Sequence, residues 1–577
     1  MKKLIFKHLT VVFSALALSL IFAPNALCQK LKTGPQDLTF FSTADETNQV
    51  YSIYIPHSFD EEKEYPLVVF LHGFMSNNRL GLRRVFGLGN IQGPEFNIYD
   101  YVPEPGQSDL EVTRYWPEMP DIDYIAAAPL ARGSAGYEGI PEQDVYDMID
   151  DIKSRFNIDE DRLYLTGLSM GGGGTIRLAI TRPDVWAAIA PVCAGLSGEN
   201  ADMVGNLSNI PVHVFVGTRD RGWESARDSK AKYEAAGCPV VEYTEYPGIE
   251  HNSWEYAYKD GFIFEWFSQF ERNMFPESVK LSAKQFKYNT AYWVTIDNLT
   301  PGTLASIEAK FTGNNAIEIK TNDLLAFTLK LRGHELFDPS KKISIRIDGK
   351  SFSIKSPDSF SFSKENGTWT NKKFTPGLTS KQKGAEGPLY EAVSSNHIYV
   401  YGTADNPSAE ELATRRAQAM DAATWALNRG FYQGTVLIFP RVIADNAIRQ
   451  SDFALCNLVL FGTKETNSVI AKFDDMLPMH LDEDADDYGL IYIFPINQRY
   501  VLVNSGLPWW TSSSGSGGQT GGMLGGSRAG SLSKSNDFLL FKETNDNVVV
   551  TGKFDNNWNL PSEAINKLRN SAFITIK

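Results

Sequence analysis

The stretch Leu163-Tyr164-Leu165-Thr166-Gly167-Leu168-Ser169-Met170-Gly171-Gly172-Gly173-Gly174 decides how this chain is read. Leu163 to Thr166 is a short apolar run of strand type. From Gly171 through Thr175-Ile176-Arg177-Leu178-Ala179-Ile180 the pattern turns helical. Between them stands Gly167-Leu168-Ser169-Met170-Gly171, a G-x-S-x-G pentapeptide. A strand that passes at once into a helix brings backbone against backbone, so a Cβ at either flanking position would collide. The residue at the apex is held in a strained conformation with its side chain projecting outward. Ser169 is therefore the candidate nucleophile. The competing reading is a Gly-rich turn that contains a serine by chance; the strand before and the helix after argue against it.

Working outward, Asn48 to Ile55 alternates as a strand, and Pro66-Leu67-Val68-Val69-Phe70-Leu71-His72-Gly73 is a continuous apolar run ending in His-Gly. Such runs suit strands buried on both faces of a parallel sheet. Residues 122–129, 185–192 and 211–217 have the same habit, and 240–246 reads as a further strand. Residues 142–156, 225–236 and 261–275 read as amphipathic helices. Strands alternating with helices predict crossover connections and a mostly parallel sheet with helices on both faces. Pro276 marks its end.

In such sheets, working residues gather beyond the carboxyl ends of strands. Asp220 stands there in Gly217-Thr218-Arg219-Asp220, and His251 in Glu250-His251-Asn252-Ser253-Trp254. The order Ser169, Asp220, His251 is the one expected of an elbow serine on this architecture. A neutral imidazole takes the serine proton during attack, and a carboxylate on the other ring nitrogen holds the tautomer. Glu224, Glu245 and Glu250 compete with Asp220 for the acid. The tetrahedral oxyanion needs two N–H donors, for which Met170 and Phe74 are expected. His72 reads as structural, orienting the loop after its strand. Trp223 and Trp254, three residues after acid and base, are candidates to wall a substrate pocket.

Pro66 to Gly73, the Ser169 pentapeptide and His251-Asn252-Ser253-Trp254 together resemble the secreted bacterial α/β-hydrolases. The similar branch contains polyhydroxybutyrate-depolymerase-like and feruloyl-type esterases and prolyl-oligopeptidase-like peptidases. Ala131-Arg132-Gly133 and Glu142-Gln143-Asp144-Val145 are similar to that branch as well. The resemblance covers roughly residues 40–275. It implies a Ser-His-Asp hydrolase with no metal or cofactor, and leaves ester against peptide open.

A chain of 577 residues is too long for one core. The expected organisation is a signal peptide at 1–28, a catalytic domain at 29–276, a β-rich, sandwich-like module at 277–392, and a Rossmann-like α/β domain at 393–577. Lys2, Lys3 and Lys7 before the apolar run from Leu9 to Phe22, with Ala26-Leu27-Cys28 behind it, give the secretory signal, too short for a membrane span. Cys28 also raises a lipoprotein reading, which Leu27, bulky where a lipidation signal takes a small residue, makes the lesser one. Three scattered cysteines remain, Cys193, Cys238 and Cys456, which argues against a disulfide framework. A net charge of −14 argues against nucleic acid as partner.

Short alternating segments from 292 to 347 predict the β module. Beyond it, His397 to Gly402, 435–439, 457–462, 500–503 and 538–541 read as strands, and 409–428 as a helix. The first of these strands lacks a phosphate-binding glycine fingerprint, which excludes a nucleotide cofactor of that type. The acidic run 482–487 reads as a solvated loop rather than a calcium site, and the Ser/Gly-rich stretch 511–536 as a long loop inside the domain. Residues 29–276 are expected to fold and act alone. The sequence thus predicts a secreted serine hydrolase acting on carboxylic esters, of a small molecule or of acyl or feruloyl groups on plant polysaccharide. A serine peptidase is the first alternative, and a polysaccharide-binding protein with an inactive hydrolase domain the second.

Overall fold

The computed structural model describes residues 32–89, 113–355, 359–377, 379–425, 427–429, 432–434, 436–482, 484–512, 527–571 and 573–577. The signal segment 1–28 with Cys28, residues 513–526 of the Ser/Gly-rich loop and Glu483 of the acidic run lie outside them.

The first unit is an eight-stranded sheet. Its strands are β1 (Gly34–Ser42), β2 (Thr47–Ile55), β3 (Tyr65–Leu71), β4 (Ile125–Pro129), β5 (Ile158–Leu168), β6 (Ala188–Val192), β7 (Val212–Gly217) and β8 (Val241–Tyr246). They lie in the order β1-β2-β4-β3-β5-β6-β7-β8. β1 and β2 are antiparallel to their neighbours, and β4 onward run parallel. Leu67, Val69 and Leu71 of β3 enter the apolar cluster on one face, Val68 and Phe70 the cluster on the other. A strand buried on both faces has no polar side to show, so its sequence reads as an unbroken apolar run. Helices α1 (Asn78–Val85), α2 (Ile140–Arg155), α3 (Met170–Thr181), α4 (Trp223–Ala236) and α5 (Phe262–Phe267) cover the sheet.

The helix expected over 261–275 is shorter than its pattern. It runs only from Phe262 to Phe267. Beyond it, Arg272 bonds the Asp184 carbonyl and Asp161, which draws the chain out of the helix; Phe270 still packs on Trp266. Aromatic spacing alone does not separate helix from packed coil.

Residues 278–370 form two five-stranded sheets. Val279, Leu281, Ile307 and Ile319 of one sheet share a single apolar cluster with Val294, Phe327, Phe362 and Trp369 of the other. The third unit holds a seven-stranded mixed sheet. Arg441–Ala444, His397–Tyr401, Asn457–Phe461 and Arg499–Gly506 are parallel, and Tyr488–Ile496, Phe538–Lys542 and Thr544–Gly552 continue it antiparallel. The helix expected over 409–428 ends at Ala422. Residues 436–439, expected as a strand, make one isolated bridge, Val436 to Gly133. Their partner is a loop of the first unit, so no ladder continues beyond that pair.

The units meet along ordered contacts. Asn206 exchanges two hydrogen bonds with Ser282, and Lys280 donates to the Ala236 carbonyl. Ala44, Ala135 and Ile140 of the first unit are buried in the apolar cluster of the third. No helix of the described residues is long and apolar enough to cross a membrane. The cysteines Cys193, Cys238 and Cys456 are free thiols.

Candidate active site

Everything at the site follows from the turn between β5 and α3. Ser169 has φ 53° and ψ −113°, left-handed territory that a non-glycine residue enters at a cost of about 1–3 kcal/mol. Close approach of the flanking chain holds it there. A Cβ on Gly167 would lie 2.5 Å from the Gly171 carbonyl oxygen, and one on Gly171 only 1.9 Å from the Leu71 carbonyl oxygen. Ser169 N–H donates to the Val192 carbonyl at 2.9 Å, which pins the apex to β6.

The three residues singled out by order and strand-end position lie together. The Ser169 hydroxyl donates to His251 Nε2 at 2.8 Å, and His251 Nδ1 stands 2.7 Å from Asp220 Oδ2. The other Asp220 oxygen accepts Gly222 N–H at 2.7 Å, so the carboxylate is held from both sides. Asp220 is buried while the His251 side chain keeps 16% of its surface exposed. With Nδ1–H given to Asp220, Nε2 is free to accept the serine proton. Of the competing acids, Glu245 is engaged by the Trp223 indole N–H and the Tyr243 hydroxyl.

Met170 is the first residue of α3, where N–H groups have no intrahelical acceptor and the helix end favours negative charge. Phe74 lies in the turn after β3, closed by Ser76 N–H on the Gly73 carbonyl. This turn borders the serine: a Cβ on Gly73 would be 3.7 Å from Ser169 Cβ. His72 is fully buried, with Nε2 2.8 Å from the Leu130 carbonyl and Nδ1 2.8 Å from that of Gly73. Burial lowers its pKa, and its ring ties the turn to the loop after β4.

The two tryptophans differ. Trp223 is partly exposed, with Arg227 over its ring. Trp254 is 3% exposed and offers almost no surface to a ligand. Its ring stands edge-on to the His251 imidazole at 5.5 Å, with Arg84 on it and Glu255 taking its N–H. It backs the base and is not placed to wall a pocket.

Sequence reasoning missed Cys193. Its thiol lies 2.9 Å from the His251 carbonyl and 2.8 Å from the Ser253 hydroxyl. Burial, and then the nearby Asp220 charge, push its pKa up, so it stays a neutral thiol behind the imidazole. Cys193, Asp220 and His251 are also the one group among the described residues with metal-ligand spacing. Two of them are already bonded to each other, which suits proton transfer without an ion. Ser134, which accepts Met75 N–H at 3.0 Å, was missed too. The Ala131-Arg132-Gly133 segment beside it was the only signal pointing there.

Residues 42–237 match the Esterase family model. A 48-residue segment is 46% identical to poly(3-hydroxyalkanoate) depolymerase C of Paucimonas lemoignei, covering 8% of this chain and 12% of that protein. A 44-residue segment is 59% identical to cutinase 2 of Thermobifida cellulosilytica, covering 7% and 17%. The matches thus span less than a fifth of either relative. Among solved structures, a ferulic acid esterase matches 41% of this chain and all of its own at 20% identity, with a TM-score of 0.32.

Proposed function

We propose that the protein is a serine hydrolase that cleaves carboxylic esters through an acyl-enzyme. The observation that carries this reading is the hydrogen-bonded relay Ser169–His251–Asp220 on a strand-to-helix elbow, beside the first N–H of α3. Ser169 attacks the acyl carbon, His251 takes its proton and returns it to the departing alcohol, and Asp220 stabilises the imidazolium. Met170 and Phe74 N–H groups hold the oxyanion. Water then repeats the sequence with His251 as its base. The match to the Esterase family over residues 42–237, which hold Ser169 and Asp220, supports esters over amides. The names depolymerase and cutinase borne by the short matches are consistent with an ester-bearing polymer as substrate, and the proposed substrate class extends to acyl or feruloyl esters of a polysaccharide. On this reading residues 29–276 are the catalytic domain, 277–392 a sandwich-like module and 393–577 a Rossmann-like domain. The segment 1–28 directs the chain to secretion.

Two measurements test it. A fluorophosphonate probe should label wild type at Ser169 and leave Ser169→Ala unlabelled, since only an activated serine reacts. An ester carries a better leaving group than an amide, whose nitrogen must be protonated as it departs. On matched aryl ester and anilide substrates, kcat/KM should favour the ester by at least about 10²-fold. Comparable values would transfer the assignment to a serine peptidase.

A further inference from the structure

The loop between β4 and α2, residues 130–139, touches two things at once. On one side it holds the turn that carries Phe74. The Leu130 carbonyl faces His72 Nε2, the Ser134 hydroxyl accepts Met75 N–H, and the Tyr137 hydroxyl donates to the His72 carbonyl at 2.9 Å. On the other side it is clamped by the third unit. Gly133 bridges Val436, Leu437 N–H donates to the Arg132 carbonyl at 3.2 Å, and the Arg132 guanidinium donates to the Leu437 carbonyl at 3.2 Å.

The loop could not hold this shape unaided. Ala131, Arg132 and Gly133 all have positive φ, at 45°, 61° and 73°, and two of them are not glycine. Such a run persists only where its surroundings over-determine it. Arg132 is fully buried and paired with both Asp45 and Asp144, with Ser42 taking a further N–H. Burial alone would disfavour its charge; its two carboxylates outweigh that and raise its pKa. Among these partners, the Leu437 carbonyl is the one supplied from outside the first unit.

We infer that residues 436–437 complete the oxyanion pocket from a distance. They fix the 130–139 loop, and Ser134 then acts as a positioning residue that sets the Phe74 N–H through its neighbour Met75. The third unit is on this account part of the catalytic apparatus, not an appendage to a self-sufficient domain. The contact is made by backbone atoms at residues 436–437, so side-chain identity there matters little, whereas loss of the Leu437 N–H matters directly. The inference rests on the ester-hydrolase reading above.

The test uses the full chain. Ser134→Ala removes the acceptor for Met75 N–H, Ser134→Thr keeps it, and Leu437→Pro removes the donor to Arg132. Each variant is normalised to folded sites by fluorophosphonate titration. An oxyanion donor acts in the transition state and not in ground-state binding, so its misplacement lowers kcat with KM little changed. Ser134→Ala should lower kcat about 10-fold, a fraction of the 10²–10³ that follows removal of a whole donor. KM should stay within about twofold, and affinity for a trifluoromethyl ketone, whose hemiketal oxyanion occupies the same pocket, should weaken by the same factor as kcat. Leu437→Pro should move both quantities the same way, about fivefold, and Ser134→Thr should restore them. Unchanged kcat and ketone affinity in Leu437→Pro overturn the inference while leaving the ester reading intact, as does a loss that appears in KM alone. If Ser134→Ala fails to fold, Leu437→Pro decides by the same criteria. Wild type inactive on every ester overturns both readings.

Discussion

Ser169→Ala and His251→Ala are each expected to lower kcat by about 10³-fold or more, with folding retained. Both side chains stand at the surface end of the sheet and neither fills the core, so removing them takes away chemistry and little packing. Without the hydroxyl there is no acyl-enzyme; without the imidazole the hydroxyl must attack as a neutral, unassisted nucleophile. Residual turnover would come from the oxyanion donors and binding alone. Asp220→Asn should cost less than loss of the serine, because the side chain keeps its shape and an oxygen for Gly222 N–H while losing the charge that stabilises the imidazolium. Ester turnover with circular dichroism on the same samples reads this directly. If Asp220→Asn stayed fully active while a change at Glu224 or Glu250 removed turnover, the acid would have to be reassigned.

The run Gly171-Gly172-Gly173-Gly174 gives the second large effect, because its members face different surroundings. Gly171→Ala should abolish the soluble fold. Its new Cβ would lie 1.9 Å from the carbonyl oxygen and 2.5 Å from the carbonyl carbon of Leu71, backbone atoms of a central strand that cannot step aside. A penalty beyond about 4 kcal/mol is expected, in the extreme tail of single substitutions. Two residues on, Gly173 has nothing within 4 Å of its would-be Cβ. There alanine should stabilise, by about 0.5–1 kcal/mol, since helical glycine carries only its entropic penalty. Expression level and thermal melting of the two variants measure the contrast. A well-folded, fully active Gly171→Ala would contradict the close packing of elbow against β3.

The legible parts of this chain are those where one residue type has one physical use. Strands β3, β4, β6 and β7 and the Leu163–Leu168 part of β5 are buried on both faces, so they stand out as apolar runs, and an elbow needs glycine at fixed places. Order along the chain then pointed to Ser169, Asp220 and His251, which the fold holds within hydrogen-bonding distance. Other features carry no such mark. β1 opens on Gly34-Pro35 and carries Asp37, an edge strand whose composition resembles a loop. Val436-Leu437-Ile438-Phe439 has a strand's composition yet meets a loop, because a pattern of apolar residues does not say what they pair with. The left-handed turn at 131–133 is made by Ala, Arg and Gly, and only the last has a conformational signature. Trp254 reads as a pocket wall from its place three residues after the base; what distinguishes it is Arg84 and Glu255 packed around it, which no local spacing reveals.

The hydrogen bond from Arg132 to Leu437 joins residues 305 positions apart. Every strand of the first sheet lies before residue 247, so that sheet can form before the third unit docks Leu437 against it. In that interval the nucleophile, base and acid can already meet while the turn beside them still lacks its anchor. The chain therefore carries a built-in delay between assembly of its reactive groups and their full competence. It also has a proteolytic weak point: a nick after residue 276 that frees the third unit would disarm the serine without cutting near it.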